Sequence, residues 1–227
     1  MTFNIITIFP EMFSSYLHES ILARAIKEQK IKVKFLNPRD FTRDKHRKVD
    51  LKPYGGGPGM VMMAEPILLA VSKIFSSRKM LPGGEGKSHL TTNKNFKIVI
   101  FSPGGKPFTN QVAAKLAKSK QDLILIAGRY EGIDGRVKKI LKAEEYSVGP
   151  YVLTGGELPA MIMIDAITRQ LPGVLGKDES VEEKRVASHE VYTRPEVLVW
   201  KNKKYKVPKV LVSGDHKKIT LWREKRK

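Results

Sequence analysis

The sequence contains no cysteine, which excludes disulfides, thiolate metal sites and cysteine nucleophiles and fits a reducing compartment. No apolar run approaches about 18 residues, so nothing in it reads as a membrane span. The opening, MTFNIITIFPEMF, has no basic leader and reaches Pro10 too soon for a secretory signal. A cytoplasmic location is therefore expected. Repeats and low-complexity tracts are absent. No Gly-x-Gly-x-x-Gly occurs, which counts against a dinucleotide site of the Rossmann type and hence against an oxidoreductase. Acidic residues are also scarce, 23 against 42 Lys and Arg, leaving a formal charge of +19.

What is present is a globular composition, 41% apolar over 227 residues. That is enough for one domain of roughly 150 to 170 residues and a small second one. The positive surface suits a polyanionic partner, although a generally lysine-rich proteome would give the same balance. The excess is concentrated: residues 201 to 227 hold 11 Lys and Arg against 2 acidic residues, with Trp200, Tyr205 and Trp222 interleaved. Clustered charge with aromatics is a nucleic-acid footprint.

Residues 3 to 9, FNIITIF, read as a buried first strand. Glu11 to Lys30 follow as helix, in two pieces with a break near His18 to Ser20. Ile31 to Leu36 is a second strand, and strand, helix, strand is the unit of a parallel sheet. Arg39 to Met60 is a long loop. Its first half carries five basic residues and His46 within ten positions, and its second half, PYGGGPGM, has four glycines in five positions. This loop lacks the Gly-Lys-Ser/Thr of a triphosphate-binding turn. Glu65 to Ser76 is an amphipathic helix and residues 77 to 95 a polar linker. Lys97 to Phe101 is a strand running into Ser102-Pro103-Gly104-Gly105, Asn110 to Lys118 a helix, and Leu123 to Ala127 a strand delivering Gly128 to Gly132. Tyr146 to Val148 and Tyr151 to Leu153 are short extended pieces around Gly149-Pro150, closed by Thr154-Gly155-Gly156. Small, turn-prone sequence at three strand ends suits one shared pocket, since ligands of open α/β sheets sit at the carboxyl ends of strands. A helix opens at Glu157-Leu158-Pro159 and runs to about Arg169. It is apolar on nearly every side, so it is expected to be buried, between two subunits.

GRYEGID at 128 to 134, VGPYVLTGG at 148 to 156, the ELPAM that follows and PYGGGPGM at 53 to 60 together resemble the bacterial tRNA (guanine-N1)-methyltransferase family. The likeness extends from IITIFPEMF to SGDH and LWR. It implies a SPOUT-like α/β fold: a mostly parallel sheet with helices on both faces and a trefoil knot, plus a small helical basic C-terminal domain. The implied division is a knotted domain at 1–165, a linker at 166–185 and a tRNA-binding domain at 186–227. The family works as a homodimer, moving the methyl of S-adenosylmethionine to N1 of the guanine immediately 3′ of the tRNA anticodon, with magnesium. By the same resemblance the cofactor is held by Ser102, Pro103, Gly128, Tyr130, Glu131, Val148, Gly149, Tyr151, Leu153, Gly155, Gly156 and Pro159. Arg169 matches an arginine that stabilises charge at O6 of the base. Arg24 and the loop from 39 to 48 resemble its RNA-contacting surface.

One departure stands out. Where the family has an acidic base in an Asp-Ser-Phe triplet, this chain has Lys184-Arg185-Val186. A lysine near its ordinary pKa of about 10.4 is protonated and accepts no proton. Two readings follow: the neighbouring Glu183 serves as base, or the protein is a cofactor-binding RNA-recognition protein with reduced or lost turnover.

Overall fold

The computed structural model describes residues 1–77, 95–119, 121–175 and 190–225. They fall into two compact units, Met1–Val174 and Leu175–Lys227. The linker expected at 77 to 95 lies almost wholly outside the described residues, as do Glu183 and Lys184.

The first unit is built on a parallel sheet. Its strands are β1 (Thr2–Ile6), β2 (Lys32–Leu36), β5 (Phe96–Pro107), β6 (Asp122–Ile126) and β7 (Glu144–Ser147), in the order β2-β1-β6-β5-β7. All four pairings are parallel. A separate two-stranded ribbon pairs β3 (Asp50–Leu51) with β4 (Val61–Met62). The helices are α1 (Ser14–Leu17), α2 (Ser20–Lys27), α3 (Ala64–Ser77), α4 (Asn110–Ser119), α5 (Gly135–Leu141) and α6 (Glu157–Thr168).

Side chains of a strand alternate between faces, and both faces of this sheet are apolar. Phe3, Ile5, Val99, Leu123 and Leu125 form one core with Leu22 and Ala25 of α2, Leu116 of α4 and Met163, Ile164 and Ile167 of α6. Ile6, Ile98, Ile100, Ile124 and Ile126 form the other with Ile67, Val71 and Ile74 of α3 and with Val137 and Leu141 of α5. Burying each such side chain stabilises the fold by about 2 kcal/mol.

Several boundaries differ from the sequence reading. The first strand ends at Ile6, and Thr7 turns its hydroxyl inward to a buried carboxylate. β5 does not stop at Phe101. It carries residues 102 to 105 as an irregularity, because both Phe101 and Lys106 face Tyr146. Tyr151 to Leu153 is not a strand. The helix α6 is apolar all round in sequence but covered on one side: Ala160, Met163, Ile164 and Ile167 are buried, whereas Leu158 and Ile162 are exposed. The first unit extends past residue 165 because α6 continues to Thr168 and Arg24 donates to the carbonyl of Val174 at 2.7 Å.

In the second unit, β8 (Val197–Trp200) and β9 (Lys203–Lys206) form an antiparallel hairpin. Its two-residue turn, Lys201 and Asn202, is left-handed at both positions, the geometry that matches strand twist. Two helices follow, α7 (Lys209–Val212) and α8 (His216–Glu224). Asp215 caps α8 by accepting from the Lys218 amide. Tyr192 packs on Trp222 with ring centroids 6.3 Å apart.

Candidate functional site

The carboxyl ends of β5, β6 and β7 open into a cavity of about 440 Å³. Ser102 and Pro103 line it from the irregularity in β5, and Gly128, Tyr130 and Glu131 from the segment after β6. Val148, Gly149, Tyr151, Leu153, Gly155 and Gly156 contribute from the segment between β7 and α6, and Pro159 from the first turn of α6. Thus all twelve residues singled out in the sequence as cofactor contacts share one wall system. Arg169 is not among the lining residues. It caps the far end of α6, with its amide bonded to the Asp165 carbonyl.

The walls are shaped by backbone packed on backbone. The Gly156 amide donates to the Gly128 carbonyl at 2.8 Å, tying two walls together. A Cβ on Gly156 would lie 2.7 Å from the Ala127 Cα, so only glycine fits. Ser147 closes the next corner, donating to the Gly149 carbonyl at 2.9 Å. Tyr130 adopts a left-handed backbone, φ 60, a costly state for a bulky residue and one that clusters at functional sites. The Glu131 amide donates to the Met60 carbonyl, which brings the PYGGGPGM loop to the rim.

Charged residues the sequence reading did not single out also sit here. Asp134 caps α5 and is gripped by the Arg136 guanidinium and amide, which hold its carboxyl down to about 2. Lys138 pairs with Glu145 at 2.7 Å. Arg129 pairs at 2.8 Å with Glu157, which is wholly buried. The acidic residue opening α6 was visible in the sequence, but its burial was not. Tyr16 donates to the Asp165 carboxylate at 2.6 Å, and that bond pushes the phenol up to about 12. In the loop from 39 to 48, Arg47 pairs with Asp40, and Asp44 accepts from the Lys48 and His46 amides. Among the described residues there is no group of three His, Asp or Glu side chains able to hold a metal ion. None of their helices is long and apolar enough to cross a membrane.

The family model described as tRNA (Guanine-1)-methyltransferase TrmD matches residues 1–227. The chain belongs to this family. Among curated relatives, tRNA (guanine-N(1)-)-methyltransferases from Pseudoalteromonas atlantica and Moorella thermoacetica are each 45% identical over 227 residues. Both alignments cover 98% of this chain, and 78% and 84% of those relatives. The relative of the same name from Clostridioides difficile is 44% identical over 98% of this chain and 90% of its own. Membership of the tRNA (guanine-1)-methyltransferase family gives the cavity a chemical context. Its walls offer backbone close enough to touch a ligand and three carboxylates, Glu131, Asp134 and Glu145, of which Asp134 is paired with Arg136 and Glu145 with Lys138.

Proposed function

We propose that this protein is a cytoplasmic enzyme that transfers the methyl group of S-adenosylmethionine to N1 of the guanine immediately 3′ of the tRNA anticodon. The observation that carries this reading is the convergence on one cavity, in a chain of this family, of the twelve residues that the family resemblance marks as cofactor contacts. Bound there, the cofactor supplies an electrophilic methyl on a sulfonium. The glycine-lined walls would hold its adenine, and Glu131 would favour its cationic end.

The rest of the chemistry belongs to the substrate base. Guanine N1 carries a proton that must leave for the new bond to form; as it leaves, negative charge gathers at O6, and transfer of the methyl to N1 neutralises it. Arg169 is assigned to O6; because it lies at the far end of α6 from this chain's own cavity, the assignment relies on a homodimer to bring it to the cavity of a second copy. Glu183 is assigned as the base, because it stands beside the Lys184 that replaces the family's carboxylate. Magnesium remains an expectation of the family. The described residues offer no group of three His, Asp or Glu side chains to hold such an ion, and no step above depends on it.

The same reading includes a trefoil knot, a homodimer and a basic C-terminal tRNA-binding domain. Close packing of the Gly156 backbone on that of Ala127 and Gly128 supports the knot. Exposed Phe9, Met12, Tyr16, Leu158 and Ile162 support a subunit interface on and near α6. Lysines of the hairpin and α8, with exposed Trp200 and Tyr205, support phosphate and base contact by the second unit.

The deciding experiment is methyl transfer to unmodified tRNA bearing that guanine. Wild-type protein should turn over, and Glu183→Gln should slow it by roughly 10²- to 10⁴-fold. Lys184→Asp should match or exceed wild type. Cofactor and tRNA binding without transfer would instead favour the recognition protein, the reading that Lys184 keeps open. Unchanged rates in Glu183→Gln would remove Glu183 as the base.

A further inference from the structure

Glu157 is a buried carboxylate that the chemistry above does not use. A carboxylate taken fully out of water persists only when its oxygens are bonded to partners. Here both oxygens are bonded: Oε1 accepts the Thr7 hydroxyl at 2.8 Å and Oε2 accepts Arg129 Nε at 2.8 Å. The Thr7 hydroxyl in turn accepts the Phe9 amide at 2.9 Å. The Arg129 guanidinium is held on its remaining sides. Nη1 donates to the Thr154 carbonyl at 3.4 Å, Nη2 to Met12 Sδ at 2.8 Å, and Cζ lies 4.8 Å from the centre of the Phe9 ring.

This chain of contacts starts in the cavity lining, at Arg129, and runs behind it to the buried Glu157 and Thr7. A Cβ on Gly155 would meet the Arg129 side chain and, at 2.7 Å, Glu157 Oε2. The wall at 154–156 therefore rests on the ion pair. On the opposite wall, Arg129 immediately precedes the left-handed Tyr130, whose strain the fold must hold in place. Arg129 anchors one side of that residue, and the Glu131 amide, bonded to Met60, anchors the other.

We propose that Thr7, Glu157 and Arg129 are positioning residues for the cavity, setting the gap between the wall at 128–131 and the wall at 154–156. Stability alone would not require charge here. A well-packed apolar pair often replaces a buried ion pair at no loss of stability, but it lacks directional bonds to two separate walls. The proposal rests on the reading of this cavity as the S-adenosylmethionine site.

The test is calorimetric titration with S-adenosylmethionine, with tRNA affinity measured in parallel. Thr7→Val keeps shape and loses the hydroxyl. It should weaken cofactor binding about fivefold to tenfold and leave tRNA affinity unchanged. Thr7→Ser should restore it. The double variant Arg129→Met/Glu157→Leu removes both charges together, and should melt near wild type yet bind cofactor at least about tenfold more weakly. A stable double variant with wild-type cofactor affinity would overturn the proposal, as would Thr7→Val with unaltered affinity. Wild-type protein that binds no cofactor would instead remove the site reading on which the proposal stands.

Discussion

The two glycine-rich segments of this protein use the same residue for opposite reasons. At Gly156, a Cβ would collide with the backbone of Ala127 and Gly128. At Gly55, Gly56 and Gly57 nothing lies within 4 Å, and the requirement is dihedral: φ is +83, +80 and +112. The first segment is docked on the end of the sheet, and its shape exists before any ligand arrives. The second is open backbone, tied back by bonds such as Glu131 amide to Met60 carbonyl and Met62 amide to Gly132 carbonyl. It holds out Tyr54, fully exposed. One is a wall and the other a surface awaiting contact.

If that contrast is right, equal substitutions should have unequal effects. Gly156→Ala should be the most damaging. The neighbours are backbone and cannot give, so the cost should be about 3 kcal/mol, with cofactor affinity reduced more than about tenfold as the two walls part. Thermal melting and calorimetry measure the two effects. A variant with ordinary stability and binding would show that the wall is softer than its packing implies.

Gly59→Ala is the intermediate case, because Gly59 lies where the open loop reaches the cavity. Its φ of +79 disfavours alanine by about 1–2 kcal/mol. Its Cβ would also meet Glu131 Cγ and Oε1 at 2.6 Å. A flexible side chain moves aside, so the fold should survive while cofactor affinity falls severalfold through Glu131. Gly56→Ala sharpens the point from the other side. It carries the dihedral cost alone, about 1–2 kcal/mol at most, and should leave cofactor affinity intact. Loss of cofactor binding in Gly56→Ala as large as in Gly156→Ala would break the comparison.

The same contrast explains what was legible in the sequence. Glycine density at 102–105, 128–132 and 149–156 is local, so the cavity walls could be read from the chain. The continuous apolar run from Leu123 to Ile126 and the proline at the start of α6 likewise carry their structure with them. Glu157 does not. Its burial depends on Thr7, 150 residues away, and on Arg129, 28 residues away, and nothing in ELPAM distinguishes a buried glutamate from a solvated one favoured by the helix dipole. Thr7 was hidden for a related reason: within FNIITIF it looks like one more β-branched strand residue. The helix α5 escaped notice because RVKKIL offers little periodicity, and its cap, Asp134, was read only as part of GRYEGID. The hairpin at 197–206 was masked by lysines at alternate and adjacent positions, which obscure a period of two.

The smallest predicted effect lies at Asp134, where the two segments meet through the bond from its amide to the Met62 carbonyl. Its carboxylate accepts the Arg136 guanidinium at 2.6 Å and the Arg136 amide at 2.9 Å. Those bonds lower its pKa from the ordinary 3.8 to about 2. A group whose folded pKa is depressed contributes stability above its unfolded value and loses it as pH falls through the folded one. Asp134→Asn retains the helix cap, since asparagine caps about as well as aspartate, and removes only the charge. The wild type should therefore exceed the variant in urea midpoint above about pH 4, and the gap should close as pH approaches about 2. Arg136 is largely exposed, so the gap should also shrink in high salt. Cofactor affinity at neutral pH should fall less in this variant than in Gly59→Ala, because the backbone bond to Met62 remains. A gap that persists unchanged at pH 2 would assign the difference to the cap rather than to the ion pair, and would detach this contact from the anchoring of the open loop.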